Sequence, residues 1–395
     1  MADLSKAALA VSVLSLIVAA AGMGYLLTQT ADLSGKLDRA NAQLSQKLSD
    51  VDTKLGAATT DIKSLADATG IPIGDPAKLQ EVISQQRLVE AARKEGKLSI
   101  YSVRNVPVMD ALVQKFREKY PFIEVEVWRG AATPLLERVT TEVRGGVYTV
   151  DMIQGTALVH DELNKQGTFL NYVPPETKAI NPALSKPEHS WGVYVDPIVL
   201  AFNTNKVKTD QLPKTWLELI DPKWTGKFGI GDPTSHFTTA ELLLSLKNVL
   251  KNDWDRFVQG LAALNPKFHV SLTPVAGSVA AGDVDIGLTF SSSINVLKKQ
   301  GAAVGWVFLD PTPSLVTLTS VAAKAPHPNA AKLFQNWQLS FEGQQTAAKA
   351  GEIPVRSDVT HDFPEVTKVT QFSFSGLTLD EVRAAQRGVF KDLFG

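Results

Sequence analysis

Hydrophobic and polar spacing divides the chain into three stretches. The first, Ala7 to Leu27, carries no charge and is rich in Ala, Leu, Val and Ile. A helix of that length would reach about 32 Å, enough to span a bilayer core. The length favours an uncleaved anchor with its N-terminus inside. A processed signal segment, whose apolar run is usually shorter, is the competing reading. Lys6 is the single basic residue on the N-terminal flank, so the orientation signal is weak.

The second stretch repeats apolar residues at alternating spacings of three and four. Leu33, Leu37, Ala40, Leu44, Leu48, Val51, Leu55, Ala58, Ile62 and Leu65 form a heptad seam, with one stutter between Leu44 and Leu48. Lys, Asp, Gln, Ser and Thr fill the positions between. A single helix this polar is marginal in water, so the seam points to a coiled coil and a homo-oligomer. A helix lying on the rest of the protein is the alternative. Gly70 and the turn-rich "GIPIGDP" close the stretch.

From about residue 77 the pattern becomes α/β. A helix over 78–95 leads to a strand over 97–103, a helix over 107–119 and a strand over 123–128. A helix over 134–144, a strand over 150–154 and a helix over 156–166 follow. Strands alternating with helices imply a mainly parallel sheet covered on both faces. Ligands of such sheets bind beyond the carboxyl ends of the strands, so those loops are the ones to inspect.

The loops share a chemistry. Ser102, Arg104 and Asn105 follow the first strand, with Pro107 suited to a helix start. Arg129 and Gly130 follow the second strand, before Thr133-Pro134; Gly155 and Thr156 follow the third. "GIGDPTSHFTTAELLL" (229–244) runs through Thr234, Ser235 and His236 into a helix, where Thr238 with Glu241 fits a capping box. "GLTFSSSIN" (287–295) repeats the device: a buried strand, then Ser291, Ser292 and Ser293, then helical spacing from Ile294. Helix starts gathered at strand ends aim free N–H groups at one cleft, which suits an anionic or strongly polar group. Ser, Thr and Asn also cap helices without any ligand. Arg104 and Arg129 are more informative, because capping needs neither.

Composition narrows the classes. Lys and Arg number 40 against 41 Asp and Glu, so bulk charge gives no reason to expect nucleic acid. The absence of cysteine excludes disulfides, thiolate metal sites, cysteine nucleophiles and a lipid anchor on cysteine. "TGKF" (225–228) lacks the rest of a phosphate loop, and "AGSVAAG" (276–282) is not a nucleophile elbow. The six histidines show no metal spacing. No catalytic residue, cofactor or metal site is assigned.

Several long motifs then occur in order. They are "GVYVDPIVLAFNTNKV" (192–207), "LPKTWLELIDPKWTGKFGIGDPTS" (212–235), "AAKAPHPNAAKLFQNWQLSFEGQQ" (322–345) and "PVRSDV" (354–359). Over roughly residues 96–360 the chain resembles the extracellular solute-binding proteins of ABC importers, in the ferric-iron-binding branch. The resemblance implies a two-lobed periplasmic-binding-protein-like (type 2) domain that closes on a solute and docks on a permease. It places hinge strands near 198–203 and 306–319. The expected organisation is an anchor at 1–30, a stalk at 31–69, and a linker with leading helix at 70–95. Lobe one is 96–200 plus 312–395, and lobe two is 201–311.

In ferric relatives, the strand end matching "FSSSIN" carries adjacent tyrosines whose phenolates bind iron; here Ser292 and Ser293 stand nearest. Neutral hydroxyls suit phosphate, carboxylate or sugar better than a hard trivalent cation. The resemblance also places Tyr194 and Asp196 beside the ligand. Asp196 argues against a purely anionic site and could receive an amine. The leading expectation is a membrane-tethered, single-pass receptor on the extracellular or periplasmic side, serving an ABC permease and capturing a small polar or anionic solute. The alternatives are ferric transport, with Tyr101 or Tyr194 supplying phenolate, and an oligomeric surface protein that keeps the fold structurally.

Overall fold

The computed structural model describes residues 42–47, 49–50, 76–186, 188–363, 366, 370–373 and 376–395. Met1–Gln85 and Gln86–Gly395 form separate compact units. Of the expected stalk, 42–47 and 49–50 are described; they are helical and exposed. The anchor and the remainder of the seam lie outside the described residues. Among the described residues no helix is long and apolar enough to cross a membrane.

The elements follow the expected alternation, with ends shifted by at most two residues. Helix α1 (Pro76–Glu95) leads to β1 (Lys97–Ser102), α2 (Val106–Lys119), β2 (Glu124–Arg129), α3 (Ala132–Arg144), β3 (Met152–Gly155) and α4 (Ala157–Asn164). The long strand β4 (Trp191–Asn203) precedes β5 (Phe228–Gly231), α5 (Phe237–Leu250), α6 (Trp254–Ala263), β6 (Lys267–His269) and α7 (Thr273–Ala281). Then come β7 (Ile286–Phe290), α8 (Ser291–Lys299), β8 (Val304–Val307) and β9 (Thr312–Val321). The chain closes with α9 (Pro328–Leu339), α10 (Phe341–Ala350), β10 (Ile353–Pro354), β11 (Gln371–Ser373), α11 (Leu379–Arg387) and α12 (Val389–Phe394).

The sheet runs β2-β1-β3-β9-β4-β7-β5-β6. Its wings are parallel as expected: β1 with β2 and β3, and β5 with β6 and β7. Its middle is antiparallel, because β4 and β9 cross between lobes in opposite senses. Trp191–Pro197 of β4 pairs with β9 in lobe one, whereas Ile198–Asn203 pairs with β7 and β8 in lobe two. The change of partner falls between Pro197 and Ile198, one residue beyond Asp196.

Period-two alternation puts β1 into two apolar layers at once. Leu98 and Ile100 enter the layer under α2 and α9, and Tyr101 enters the opposite one with Leu135 and Val139 of α3. In the first layer Phe116 meets Phe334 at 4.9 Å and Trp337 at 5.5 Å between ring centroids. Each such buried ring contributes about 1.5–3 kcal/mol. These layers hold the carboxyl ends of β1, β2 and β3 against the cleft.

The closing helices behave differently from the expected lobe boundaries. The resemblance groups residues 379–395 with lobe one, but α11 packs on α5 and α12 on α6, both in lobe two. Thr378 and Glu381 cap α11 reciprocally, Gln386 Nε2 donates to the Pro233 carbonyl at 3.3 Å, and Phe394 meets Phe268 of β6 edge-on. The apolar faces of Val382 and Phe390 find their partners there.

Candidate functional site

A narrow cleft, with about 30 Å³ of free interior, lies where the carboxyl ends of β1, β2 and β3 face the strand ends of lobe two. Its walls include Asn105, Arg129, Thr156, Tyr194, Asp196, His236 and Ser292, all expected site residues. Val103, Ala131, Ala132, Thr238, Ser271, Thr273, Phe290, Leu315 and Thr317 complete them.

The remaining expected residues do not line this cleft. Ser102 is fully buried; its hydroxyl donates to Gln154 Oε1 at 2.9 Å and accepts from the Arg104 amide at 3.0 Å. Arg104 is 1% exposed, and its Nε is 2.9 Å from Glu352 Oε1. The guanidinium also lies 4.8 Å from the centre of the Tyr194 ring. Arg104 is therefore a core cation with its own carboxylate, and it is absent from the cleft wall. Gly130 donates to the Ser102 carbonyl at 3.1 Å, and a Cβ there would stand 2.2 Å from the Trp128 ring. Thr234 and Ser235 spend their hydroxyls on Asp232, at 2.7 and 2.9 Å, in a side-chain-stabilised turn.

The helix starts divide into those that are closed and those left open. Thr156 caps α4 by accepting from Val159 N, and His236 caps α5 by accepting from Thr239 N. The expected Thr238–Glu241 capping box does not form, because α5 begins two residues too early for Thr238 to be the cap. Glu241 is instead buried with Oε2 unpartnered, and burial pushes its carboxyl up to about 8. Helix α8 begins at Ser291, three residues before the helical spacing becomes visible, and Asp196 closes it. That carboxylate accepts from Ser291 Oγ at 2.9 Å, Ser292 N at 3.0 Å and Ser292 Oγ at 2.6 Å. The serine-rich helix start thus holds the protein's own anion. Burial raises Asp196 to about 6, against the pull of those donors.

Helices α3 and α7 start at the cleft with no side-chain cap. Between them stands Arg129. Its nearest acceptors are the Arg104 and Val103 carbonyls, both at 3.5 Å, and Thr273 Oγ1 at 3.4 Å. Among the described residues no carboxylate pairs with it. Burial lowers its pKa, and the same burial with Arg129 nearby brings His236 down to about 4, so His236 is neutral. The wall therefore offers one half-buried cation, open helix starts and several hydroxyls. Such a set suits an anionic group.

The metal chemistry of ferric relatives is poorly supplied. Tyr101 is away from the cleft, its hydroxyl bonded to Glu142 and Thr149. Tyr194 reaches the cleft, but burial holds its hydroxyl well above the usual phenol range. Among the described residues no three His, Cys, Asp or Glu side chains gather to hold a metal.

Sequence reading did not single out Ser271, Thr273, Phe290, Leu315 or Thr317. "SLTP" (271–274) carries the signal that marked the other loops, a hydroxyl residue just before a proline-started helix. Leu315 and Thr317 sit on β9, where only the strand pairing brings them to the cleft.

With this geometry in place, comparison assigns the class. The chain belongs to the bacterial extracellular solute-binding proteins, whose family model matches residues 111–372. It is a binding component of an ABC importer and not an enzyme. An uncharacterized protein of Haemophilus influenzae is 25% identical over 273 residues, 66% of this chain and 78% of that one. Iron-bound HitA of Pseudomonas aeruginosa has 20% identity and a TM-score of 0.61, covering 76% of this chain and 99% of HitA. AfuA of Actinobacillus pleuropneumoniae, solved with fructose-6-phosphate, has 22% identity and a TM-score of 0.65, covering 75% of this chain and 97% of AfuA. A substrate-binding protein of an ABC transporter from Agrobacterium tumefaciens has 16% identity and a TM-score of 0.69, covering 76% and 94%. At these identities the solved structures establish the fold.

Proposed function

We propose that this protein captures a small, anionic, hydroxyl-bearing solute and delivers it to an ABC permease. The observation that carries this reading is Arg129, a half-buried guanidinium in the cleft wall with no carboxylate partner among the described residues. A solute anion would complete an ion pair there and meet the open starts of α3 and α7. AfuA, of the same fold, was solved with a sugar phosphate, which agrees with this chemistry. Asp196 is engaged by three donors of α8, so the amine-receiving role drops out of the reading. Ala7–Leu27 would tether the protein to the membrane, and the heptad seam would join two or three copies.

Native mass spectrometry of the purified binding unit, looking for a retained anion, is the direct test. Neutral or cationic cargo alone would overturn the reading. Ferric transport, suggested by the likeness to HitA and other ferric-binding proteins, has a separate test. Titration with ferric citrate, with and without phosphate or carbonate, should give no saturable visible band, because the tyrosine pair is replaced by Ser292 and Ser293. For the stalk, sedimentation should give a larger mass for a chain starting at residue 30 than for one starting at residue 77.

A further inference from the structure

Ser292 lines the cleft, yet its hydroxyl is already committed in both directions. It donates to Asp196 Oδ2 at 2.6 Å and accepts from Asn105 Nδ2 at 2.9 Å. Asp196 sits on β4 just before the strand changes lobes, Ser292 opens α8 in lobe two, and Asn105 stands at the end of β1 in lobe one. The chain of donors therefore runs from lobe one through lobe two to the hinge strand and ends on a buried carboxylate. Ser293 adds weaker contacts to the Asn105 amide group at 3.3 and 3.4 Å. A terminal carboxylate polarises the hydroxyl that feeds it, which strengthens the Asn105 bond behind it.

We infer that Asn105, Ser292 and Asp196 form a latch that holds the lobes closed without solute, and that they set the closed population while Arg129 supplies charge recognition. The inference rests on the reading of this cleft as the solute site. The other contacts at the cleft wall are longer: the Phe237 amide to Thr133 Oγ1 at 3.2 Å, Thr133 Oγ1 to the Ser235 carbonyl at 3.4 Å, and Arg129 to Thr273 at 3.4 Å. Away from the cleft wall, Lys299 of α8 also reaches lobe one, at the Lys349 carbonyl and at Asp362, both 2.6 Å, but that pair is solvent-exposed and worth little. Asn105 makes no side-chain cap bond to its own helix, so its truncation removes the latch and leaves α2 intact.

The chain has no cysteine, so two introduced thiols can be labelled cleanly. Spin labels at Glu126→Cys on β2 and Val270→Cys, which is 80% exposed beyond β6, report the separation of the outer edges of the two lobes. Pulsed electron-spin distance measurement is made on dialysed protein whose freedom from solute is verified by native mass spectrometry. The labelled parent should show a major short-distance population. Asn105→Ala and Ser292→Ala should each lower the closed-to-open ratio about three- to tenfold, the worth of one hydrogen bond. Ser293→Ala should change it less than twofold. A parent that is open without solute, or an unchanged distribution in both latch variants, overturns the inference. Because no solute takes part, that outcome is distinct from failure of the anion site. The anion site is read separately, by comparing Arg129→Ala with the parent against inorganic phosphate.

Discussion

Two arginines follow adjacent strands and look alike in sequence, but the fold puts them in opposite electrostatic regions. Behind the cleft, Arg104 faces Glu352, with Tyr194 and Asp196 close by, and all four are buried. In the cleft wall, Arg129 has carbonyls and a hydroxyl at 3.4–3.5 Å and no carboxylate. A buried charge whose countercharge belongs to the protein is part of the core. A half-buried charge without one is an invitation to a ligand. The same distinction separates the helix starts: α8 has its anion in Asp196, whereas α3 and α7 have none.

The sharpest way to break this comparison is to truncate both arginines. Arg104→Ala should cost about 3–5 kcal/mol of stability, because it strands Glu352 in the interior. Replacing Arg104 by Met and Glu352 by Gln together should recover most of the loss in a denaturant melt. A small loss from Arg104→Ala alone would show that the pair is dispensable. Arg129→Ala should leave the melt nearly unchanged. By calorimetry it should weaken binding of the retained anion ten- to hundredfold, as expected for losing a charge-assisted partner worth about 1.5–3 kcal/mol. Equal affinity in parent and variant would move the anion elsewhere.

The buried acids predict a pH dependence of definite sign. Asp196 and Glu352 are raised from 3.8 and 4.5 to about 6 and about 7, chiefly by burial. A raised folded-state value means that the stability contributed is complete below the unfolded value and is lost as pH rises through the folded one. Unfolding free energy should therefore fall between about pH 4 and pH 7, by on the order of 2 kcal/mol for Asp196 alone. Asp196→Asn should flatten the lower part of that slope, while Glu352 keeps the upper part. A slope of opposite sign would mean that the α8 donors outweigh burial. The smallest effect is reserved for the rim: Ser235→Ala should cost no more than about 1 kcal/mol and leave affinity unchanged, since its hydroxyl serves the Asp232 turn.

Much of the frame was readable because it rests on local rules. The alternation of β1 to α4 follows from apolar spacing, and the loops around the cleft follow from where strands end. The division of labour within those loops was hidden. "SSSIN" reads as an open helix start, because Asp196 lies 96 positions from Ser292 and only the crossing of β4 brings it there. Arg104 looks available for the same reason: Glu352 is 248 positions away. Thr317 and Leu315 read as ordinary strand residues. The Thr238–Glu241 box was a local rule overtaken by His236, which supplies the cap two residues earlier. Partners distant in sequence decide whether a polar group is spent or free, and single-chain periodicity carries no record of them.

The closing hairpin has a mechanical consequence. The binding unit is entered through α1 and β1 in lobe one, while its last turn is moored to the outer edge of lobe two by Phe394 against Phe268. A load applied between residues 86 and 395 therefore cannot be borne by one lobe. It must travel through β4, β9 and the bonds across the cleft, so tension between these two ends would work directly against the closed state.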